Sequence, residues 1–182
     1  GSTGNSTGPH LHLEVTHNGE YLDPYYYVAG GGDGYLPGGG TAGGPDFGED
    51  PGDAMGDGSF EAMLEEAEKY LGYPYVWGGS SPSTSFDCSG YVSWVINHSG
   101  VGNVGRQTAQ GLYNLCTPVS KENMQPGDLI FFTGTYSTAN PVTHVGIYIG
   151  DGKMIHCGDP ISYANINSQY WSGHFYSGGR LP

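Results

Sequence analysis

Apolar positions recur at helical spacing from residue 59 onward, with mostly charged residues between them. The apolar positions are Phe60, Met63, Leu64, Ala67 and Leu71. Neighbours on one face of a helix are three or four residues apart, so this spacing predicts a helix over 60–71. Ser59 has the residue type of an N-cap, and Gly72 suits the position that follows the last turn.

Two further helices are predicted before residue 120. The first runs from Cys88 to His98 and stops at Gly100, a residue type that often follows a helix. Its apolar side is formed by Tyr91, Val92, Val95 and Ile96. The second has a weaker pattern and covers Thr108 to Leu115.

The pattern changes after residue 125. The segment 126–128 (Pro-Gly-Asp) predicts a turn, and the apolar run 129–132 predicts a short strand. Residues 144–149 and 153–157 flank Gly-Asp-Gly, which is typical of a β-hairpin, and 174–181 is one more candidate strand. Helices followed by antiparallel strands predict an α+β fold.

Composition excludes several classes of protein. The chain has 182 residues, 34 of them Gly, and a net charge of −13. It has no run of 18 apolar residues, so no membrane span is predicted. Five Lys and Arg residues cannot form a basic surface for nucleic acid or a polybasic membrane anchor. The chain starts without Met or a signal segment, so we interpret it as a fragment or a processed product.

Composition also divides the chain at residue 58. Residues 1–58 hold nine acidic and no basic residues, whereas 59–182 hold nine acidic and five basic ones, a charge of only −4. Residues 30–58 are rich in Gly, Pro and Asp, and their apolar residues are isolated, which is typical of a linker. We therefore expect an N-terminal segment over 1–29, a linker over 30–58 and one domain over 59–182.

Cys88 is the candidate nucleophile among the three cysteines, an odd number that leaves at least one thiol free. It starts the second predicted helix, where the dipole and the backbone N–H groups favour the thiolate and could hold an oxyanion. The alternative is a small, buried, apolar cysteine. Cys116 ends a helix and Cys157 lies in a strand, so we expect both to be structural.

His144 and His156 are the candidate partners of this nucleophile, as the base and as the group that orients the base. The register of their hairpin decides whether both rings lie on one face. A three-residue loop over 150–152 pairs Gly146 with His156 and makes the histidines diagonal neighbours. A two-residue loop turns them to opposite faces. We therefore predict the three-residue loop, or a bulge with the same effect.

Five short motifs resemble the NlpC-type cell-wall cysteine peptidases, in that family's order. They are Tyr-Val-Trp-Gly-Gly from 75, Phe-Asp-Cys-Ser-Gly from 86, Pro-Gly-Asp-Leu-Ile-Phe-Phe from 126, His-Val-Gly-Ile-Tyr-Ile-Gly from 144 and Met-Ile-His from 154. The resemblance covers about 60–182. It implies a papain-like α+β core, with helices packed on an antiparallel sheet and the nucleophile at the start of a central helix.

The same resemblance implies roles for individual residues. Catalysis is assigned to Cys88 as nucleophile, His144 as base and His156 as the residue that orients the base. Substrate or oxyanion binding is assigned to Tyr75, Asp87 and Ser89. Two alternatives stay open, namely helix capping or local support for Asp87 and core packing beside Trp77 for Tyr75.

The implied activity is that of a murein endopeptidase, which cleaves amide bonds in peptidoglycan stem peptides, commonly between γ-D-glutamyl and a diamino acid. We expect no metal or cofactor, a monomer, and a location at the cell wall or outside the cell. The alternatives are an amidase that cuts between the sugar lactyl group and L-Ala, and a non-catalytic wall-binding module. The diamino acid, the need for a free N-terminal L-Ala, and an autolysin, phage or conjugative origin stay open.

The N-terminus resembles a second family. Residues 1–15 are similar to the closing strand of lysostaphin-type zinc endopeptidases, in which the position of His10 is catalytic and that of His12 is a zinc ligand. That family's other ligand motif, a His and an Asp spaced four apart, is missing, and catalytic zinc needs three protein ligands. We therefore expect a remnant without functional zinc, and a complete zinc peptidase domain upstream in the parent protein.

Overall fold

A computed structural model of the chain describes residues 59–182 and, upstream of them, only the backbone of two short strands. These are β1 (Val15–His17) and β2 (Glu20–Leu22), which pair antiparallel. His10, His12 and the predicted linker lie outside the described residues. The division of the chain into three parts therefore stays a prediction.

Residues 59–182 contain four α-helices. They are α1 (Ser59–Glu68), α2 (Cys88–Ser99), α3 (Ala109–Leu115) and α4 (Gln169–His174). Helix α1 includes Ser59 instead of being capped by it, and it ends before the predicted position 71. Its end is early because the N–H groups of 69–71 bond to carbonyls three residues back, which tightens the last turn. Gly72 follows with φ of +86°.

The ends of α2 and α3 follow the predicted signals. The Asp87 side chain caps α2 by accepting a hydrogen bond from the Gly90 N–H at 2.6 Å. Gly100 ends α2 in the left-handed conformation, with φ of +84°. Thr108 caps α3 through the Gly111 N–H at 2.9 Å. Both predicted helices are thus confirmed, with boundaries shifted by one residue.

The strands after α3 form one antiparallel sheet of six strands in the order β5-β10-β6-β7-β8-β9. They are β5 (Thr117–Val119), β6 (Leu129–Phe132), β7 (His144–Gly150), β8 (Lys153–Cys157), β9 (Ile161–Asn165) and β10 (Phe175–Arg180). A small hairpin of β3 (Ser80–Ser81) and β4 (Ser85–Phe86) precedes α2. The predicted C-terminal strand is confirmed, and it lies inside the sheet between β5 and β6.

Helix α2 is the central helix of the fold, and it packs on β7 and β8. Its apolar side is fully buried, as the spacing predicted, against side chains from β6, β7 and β8. Helix α1 packs against α2, and the Tyr91 hydroxyl donates a hydrogen bond to the Ala67 carbonyl at 2.8 Å. None of the helices within 59–182 is long and apolar enough to cross a membrane.

A buried ion pair joins the turn before β6 to the C-terminal strand. Arg180 binds both oxygens of Asp128, with its Nε and one terminal nitrogen each at 2.8 Å. Asp128 also accepts a hydrogen bond from the Gln125 N–H at 2.7 Å, and Arg180 donates another to the Asn123 carbonyl at 3.1 Å. The Pro-Gly-Asp segment is therefore a turn, as predicted, and also the anchor of β10.

Candidate active site

The β7–β8 hairpin sets the positions of both candidate histidines. Its turn consists of residues 151–152, whose positive φ angles of 50° and 68° match the twist of the strands. Gly150 pairs with Lys153, but the register shifts at a bulge, so that Tyr148 pairs with Met154. The predicted three-residue loop is wrong, and the alternative prediction, a bulge that restores the register, is confirmed.

The restored register places the two histidines on one face of the sheet. His144 Nε2 lies 2.9 Å from His156 Nδ1, so the two rings share one hydrogen bond. Both rings are buried. Burial lowers the pKa of His156 to about 4, and burial together with the neighbouring His156 lowers the pKa of His144 well below its usual value. The pair is therefore neutral at pH 7, with one ring donating to the other.

Trp171 covers this pair, and sequence reasoning missed it. Its ring stacks on His144 at 5.2 Å and meets the edge of His156 at 5.1 Å, while Phe132 lies 4.6 Å away. Trp171 is carried by α4, a six-residue helix without a recognisable apolar period. The tryptophan thus shields the hydrogen bond between the two imidazoles from one side.

Cys88 lies at the first position of α2, as predicted, and is buried. The backbone N–H groups of Val145 and Ser89 act on its sulfur and lower its pKa, and Arg106 does so more weakly. Burial and the Asp87 carboxylate act in the opposite direction and raise the pKa of Cys88 to about 12. The N–H groups thus act in the expected direction, but desolvation outweighs them and the Cys88 thiol stays protonated.

Both carboxylate oxygens of Asp87 accept hydrogen bonds from other residues of the domain. One accepts from the Gly90 N–H, and the other accepts from the Gly78 N–H at 3.0 Å and from Arg106 at 2.5 Å. Of the roles considered for Asp87, helix capping and local support describe these contacts. Arg106 was not predicted, because it lies in a loop without periodicity.

Ser89 is hydrogen-bonded to both members of this ion pair. Its hydroxyl donates to Asp87 at 3.3 Å and accepts from Arg106 at 2.9 Å. Tyr75 lies across from it with its ring against the edge of Trp77, at 5.7 Å. Burial and the nearby Cys88 raise the pKa of Tyr75, so its hydroxyl stays protonated and can donate. Tyr75, Asp87, Cys88 and Ser89 line one crevice.

Two motif glycines allow the close approach that builds this crevice. A Cβ atom on Gly90 would lie 2.1 Å from the Gly79 carbonyl oxygen, and one on Gly79 would lie 2.5 Å from the Ser85 carbonyl oxygen. The Asp87 N–H donates to that Gly79 carbonyl at 3.0 Å. The segment before β3 can therefore lie directly on the start of α2 only because both positions lack a side chain.

The family model described as the NlpC/P60 family matches residues 72–180, which include the crevice and both histidines. The chain belongs to the NlpC/P60 family. The family recognised from the five motifs is thus confirmed.

Two relatives of this NlpC/P60 chain illustrate the match. The bifunctional muramidase/DL-endopeptidase CwlT of Bacillus subtilis is 43% identical over 123 residues, which is 67% of this chain and 36% of CwlT. The gamma-DL-glutamyl hydrolase of the same organism is 37% identical over 111 residues, 60% of this chain and 26% of the relative. The chain thus spans about a third or less of these curated relatives.

A solved structure supports the fold. An NLP/P60 family protein of Staphylococcus aureus, described as similar to lipoprotein, is 41% identical with a TM-score of 0.68 over 73% of this chain and 44% of its own. The predicted α+β, papain-like fold is confirmed. The family match over 72–180 does not include the segment that resembles a zinc peptidase, so that resemblance stays a prediction. Within 59–182, no group of three or more His, Cys, Asp or Glu side chains is arranged to hold a metal ion.

The other two cysteines of this NlpC/P60 domain do not line the crevice. The Cys157 thiol donates to the Phe86 carbonyl at 3.3 Å inside the core, and burial raises its pKa. Cys116 follows the end of α3, and burial raises its pKa to about 12. These settings agree with the structural role expected for both.

Proposed function

We propose that residues 59–182 form a cysteine endopeptidase that cleaves amide bonds in the stem peptides of peptidoglycan. One observation carries the proposal. A buried cysteine at the start of a helix lies against Val145, the residue after His144, and His144 is hydrogen-bonded to His156. This is the arrangement of nucleophile, base and orienting group that acyl transfer through cysteine requires.

The protonation states define the first step. With a neutral thiol and a neutral imidazole pair, His144 acts as a general base and takes the Cys88 proton as the sulfur attacks the scissile carbonyl. His144 must accept that proton on Nδ1, so its Nε2 carries hydrogen and donates to His156 Nδ1. His156 thereby fixes the tautomer and stabilises the imidazolium that forms.

The remaining steps use Tyr75 and Cys88, which line the crevice, together with His144. The Cys88 N–H, at the first position of α2, and the Tyr75 hydroxyl stabilise the oxyanion. The His144 imidazolium then protonates the leaving amine, which releases one half of the substrate and leaves a thioester on Cys88. Water, deprotonated by His144, hydrolyses that thioester and restores the free thiol.

The scissile bond that we propose is the one between γ-D-glutamyl and the diamino acid. The names of two relatives, a DL-endopeptidase and a gamma-DL-glutamyl hydrolase, support this choice. The charged group of Asp87, Ser89 and Arg106 beside Cys88 suits a substrate that carries charges next to the bond to be cut. A peptidoglycan substrate also implies action at the cell wall or outside the cell.

The test is digestion of purified peptidoglycan, with release of new amino groups measured and the fragments identified by mass spectrometry. Cys88→Ala should abolish release, whereas the matched control Cys116→Ala should retain it, because Cys116 lies outside the crevice. Undiminished release by Cys88→Ala would contradict the proposal. Fragments cut between the lactyl group and L-Ala would identify an amidase instead.

A further inference from the structure

A second cavity adjoins the crevice that contains Cys88. It has a volume of about 610 Å³ and lies between the β6–β7 connection and β10. We call it the side groove and define it by Thr133, Tyr136, Thr138, Asn140, Thr143 and Tyr176. Tyr136 and Thr143 also line the crevice, so a substrate that occupies the crevice can continue into the side groove.

The lining of the side groove differs chemically from that of the crevice. It carries no Asp, Glu, Lys, Arg or His side chain, but has several hydroxyl groups, one amide and two tyrosine rings. The crevice, by contrast, contains the ion pair of Asp87 and Arg106. An uncharged, polar ligand with apolar faces fits the side groove, because a charged one would lose its hydration without gaining a partner.

Five backbone N–H groups around the side groove are already engaged. The N–H groups of Thr133 and Thr143 bond to the His174 and Phe132 carbonyls, both at 2.8 Å. Those of residues 135, 140 and 142 bond to side-chain oxygens of Thr143, Thr138 and Gln110. Extended peptides are recognised largely through main-chain hydrogen bonds, which these groups cannot supply. Recognition by side-chain hydroxyls and ring faces suits a sugar better.

We propose that the side groove binds the N-acetylated amino sugar that carries the stem peptide. This inference rests on the proposed function, because it treats the sugar and the scissile amide as parts of one substrate. Hydroxyl and acetamido groups of the sugar would bond to Thr138 and Asn140, and its apolar face would pack on Tyr136 or Tyr176. The enzyme would then act on stem peptides still attached to glycan, without needing a free N-terminal L-Ala.

The experiment blocks the side groove with a bulky side chain and leaves the residues that line the crevice unchanged. Ala139 is exposed and lines only the side groove, so Ala139→Trp blocks it. Leu115→Trp is the control, because Leu115 is 44% exposed and lies outside both cavities. The substrates are a stem tetrapeptide linked to the disaccharide, the free tetrapeptide, and a cross-linked peptide dimer without sugar.

We expect kcat/KM of the unmodified chain and of Leu115→Trp to be about tenfold higher for the glycan-linked peptide than for the free one. Ala139→Trp should remove this preference and leave cleavage of the free peptide within about twofold, since its crevice is unchanged. Equal rates on both peptides by the unmodified chain, or a loss by Ala139→Trp confined to the peptide dimer, would overturn the proposal.

A binding measurement does not depend on catalysis, so it tests the side groove separately from the proposed function. Calorimetric titration of N-acetylmuramoyl dipeptide into Cys88→Ala protein, with and without Ala139→Trp, needs no catalysis. Binding that Ala139→Trp abolishes supports the side groove even if no substrate is cleaved. Equal affinity with and without Ala139→Trp, or no binding by either protein, overturns it whatever the cleavage assays show.

Discussion

Two ion pairs of the domain, Asp128 with Arg180 and Asp87 with Arg106, are built differently. Between the turn before β6 and the end of β10, Asp128 and Arg180 are both buried and satisfy each other through two hydrogen bonds of 2.8 Å. At the crevice, Asp87 is buried but the Arg106 side chain is 28% exposed. The first pair is closed on all sides by protein, whereas the second keeps one side towards the space where a substrate would lie.

The two ion pairs have different roles, one in stabilising the fold and the other in setting the pKa of Cys88. The closed pair fixes the C-terminal strand in the middle of the sheet and has no route to the crevice. The open pair lies beside Cys88, where Asp87 raises the pKa of the thiol and Arg106 lowers it. The histidine pair is a third arrangement, buried and neutral. Stability should therefore depend most on the closed pair, and reactivity on the open one.

The largest expected effect is on stability, from breaking the closed pair. Asp128→Ala leaves the Arg180 charge buried without its partner, which should lower the free energy of unfolding by about 3–5 kcal/mol. Urea denaturation measures this loss, and the exposed Glu65→Ala serves as the control, with a change within about 0.5 kcal/mol.

If Asp128→Ala does not fold, the double variant Asp128→Leu with Arg180→Met provides a second test. Replacing both charges by apolar side chains removes the unpaired charge, so this variant should regain most of the lost stability. An Asp128→Ala protein that loses less than about 1 kcal/mol would show that the pair does not anchor β10.

The next largest expected effect is the pH dependence of stability, which comes from the neutral histidine pair and not from the ion pairs. The pKa of His156 is lowered from 6.5 to about 4, so the unfolded chain takes up a proton before the folded one as the pH falls. His156 therefore contributes roughly 3 kcal/mol to the free energy of unfolding above pH 6.5. This contribution is lost as the pH falls from 6.5 to 4.

Urea denaturation at several pH values measures this dependence. His156→Asn removes the titrating group, so its stability should fall less steeply than that of the unmodified protein between pH 6.5 and 5. Parallel curves for the two proteins would mean that the histidine pair is not held neutral by burial.

The smallest expected effect probes the open pair through the reactivity of Cys88. Asp87→Asn removes the charge that raises the thiol pKa, and Asn caps a helix as well as Asp does. Arg106→Gln removes a charge that lowers this pKa. Alkylation by iodoacetamide near pH 9 should become about three- to tenfold faster in the first variant and slower in the second.

Both variants are compared in a Cys116→Ala background, so that the half-buried second thiol does not contribute. The two substitutions must shift the rate in opposite directions, because they remove opposite charges. A shift of both in the same direction would mean that packing, and not charge, governs the thiol.

Local signals predicted much of this fold correctly. The apolar side of α2, its cap at Asp87 and its stop at Gly100 are all short-range features. The two strands of the histidine hairpin are also visible as short apolar runs around a turn signal. The family's motifs, and not the periodicity, supplied the papain-like arrangement of these elements.

What could not be predicted depends on the packed structure. The short helix of Trp171 has no period of its own and is held by contacts with Phe132 and the histidines. Arg106 meets Asp87 across 19 positions of sequence. The helix dipole suggested a thiolate at Cys88, but burial, which only the fold determines, reverses the direction of the pKa shift.

The bulge in the β7–β8 hairpin has a consequence for how this activity could be lost in evolution. Both histidines share a face only because one extra residue in β7 offsets the two-residue turn. Deleting that residue would keep every proposed catalytic side chain in the sequence and still turn His156 to the opposite side. A change in length of one codon in this hairpin would therefore produce an inactive homologue that any comparison of catalytic residues would classify as an enzyme.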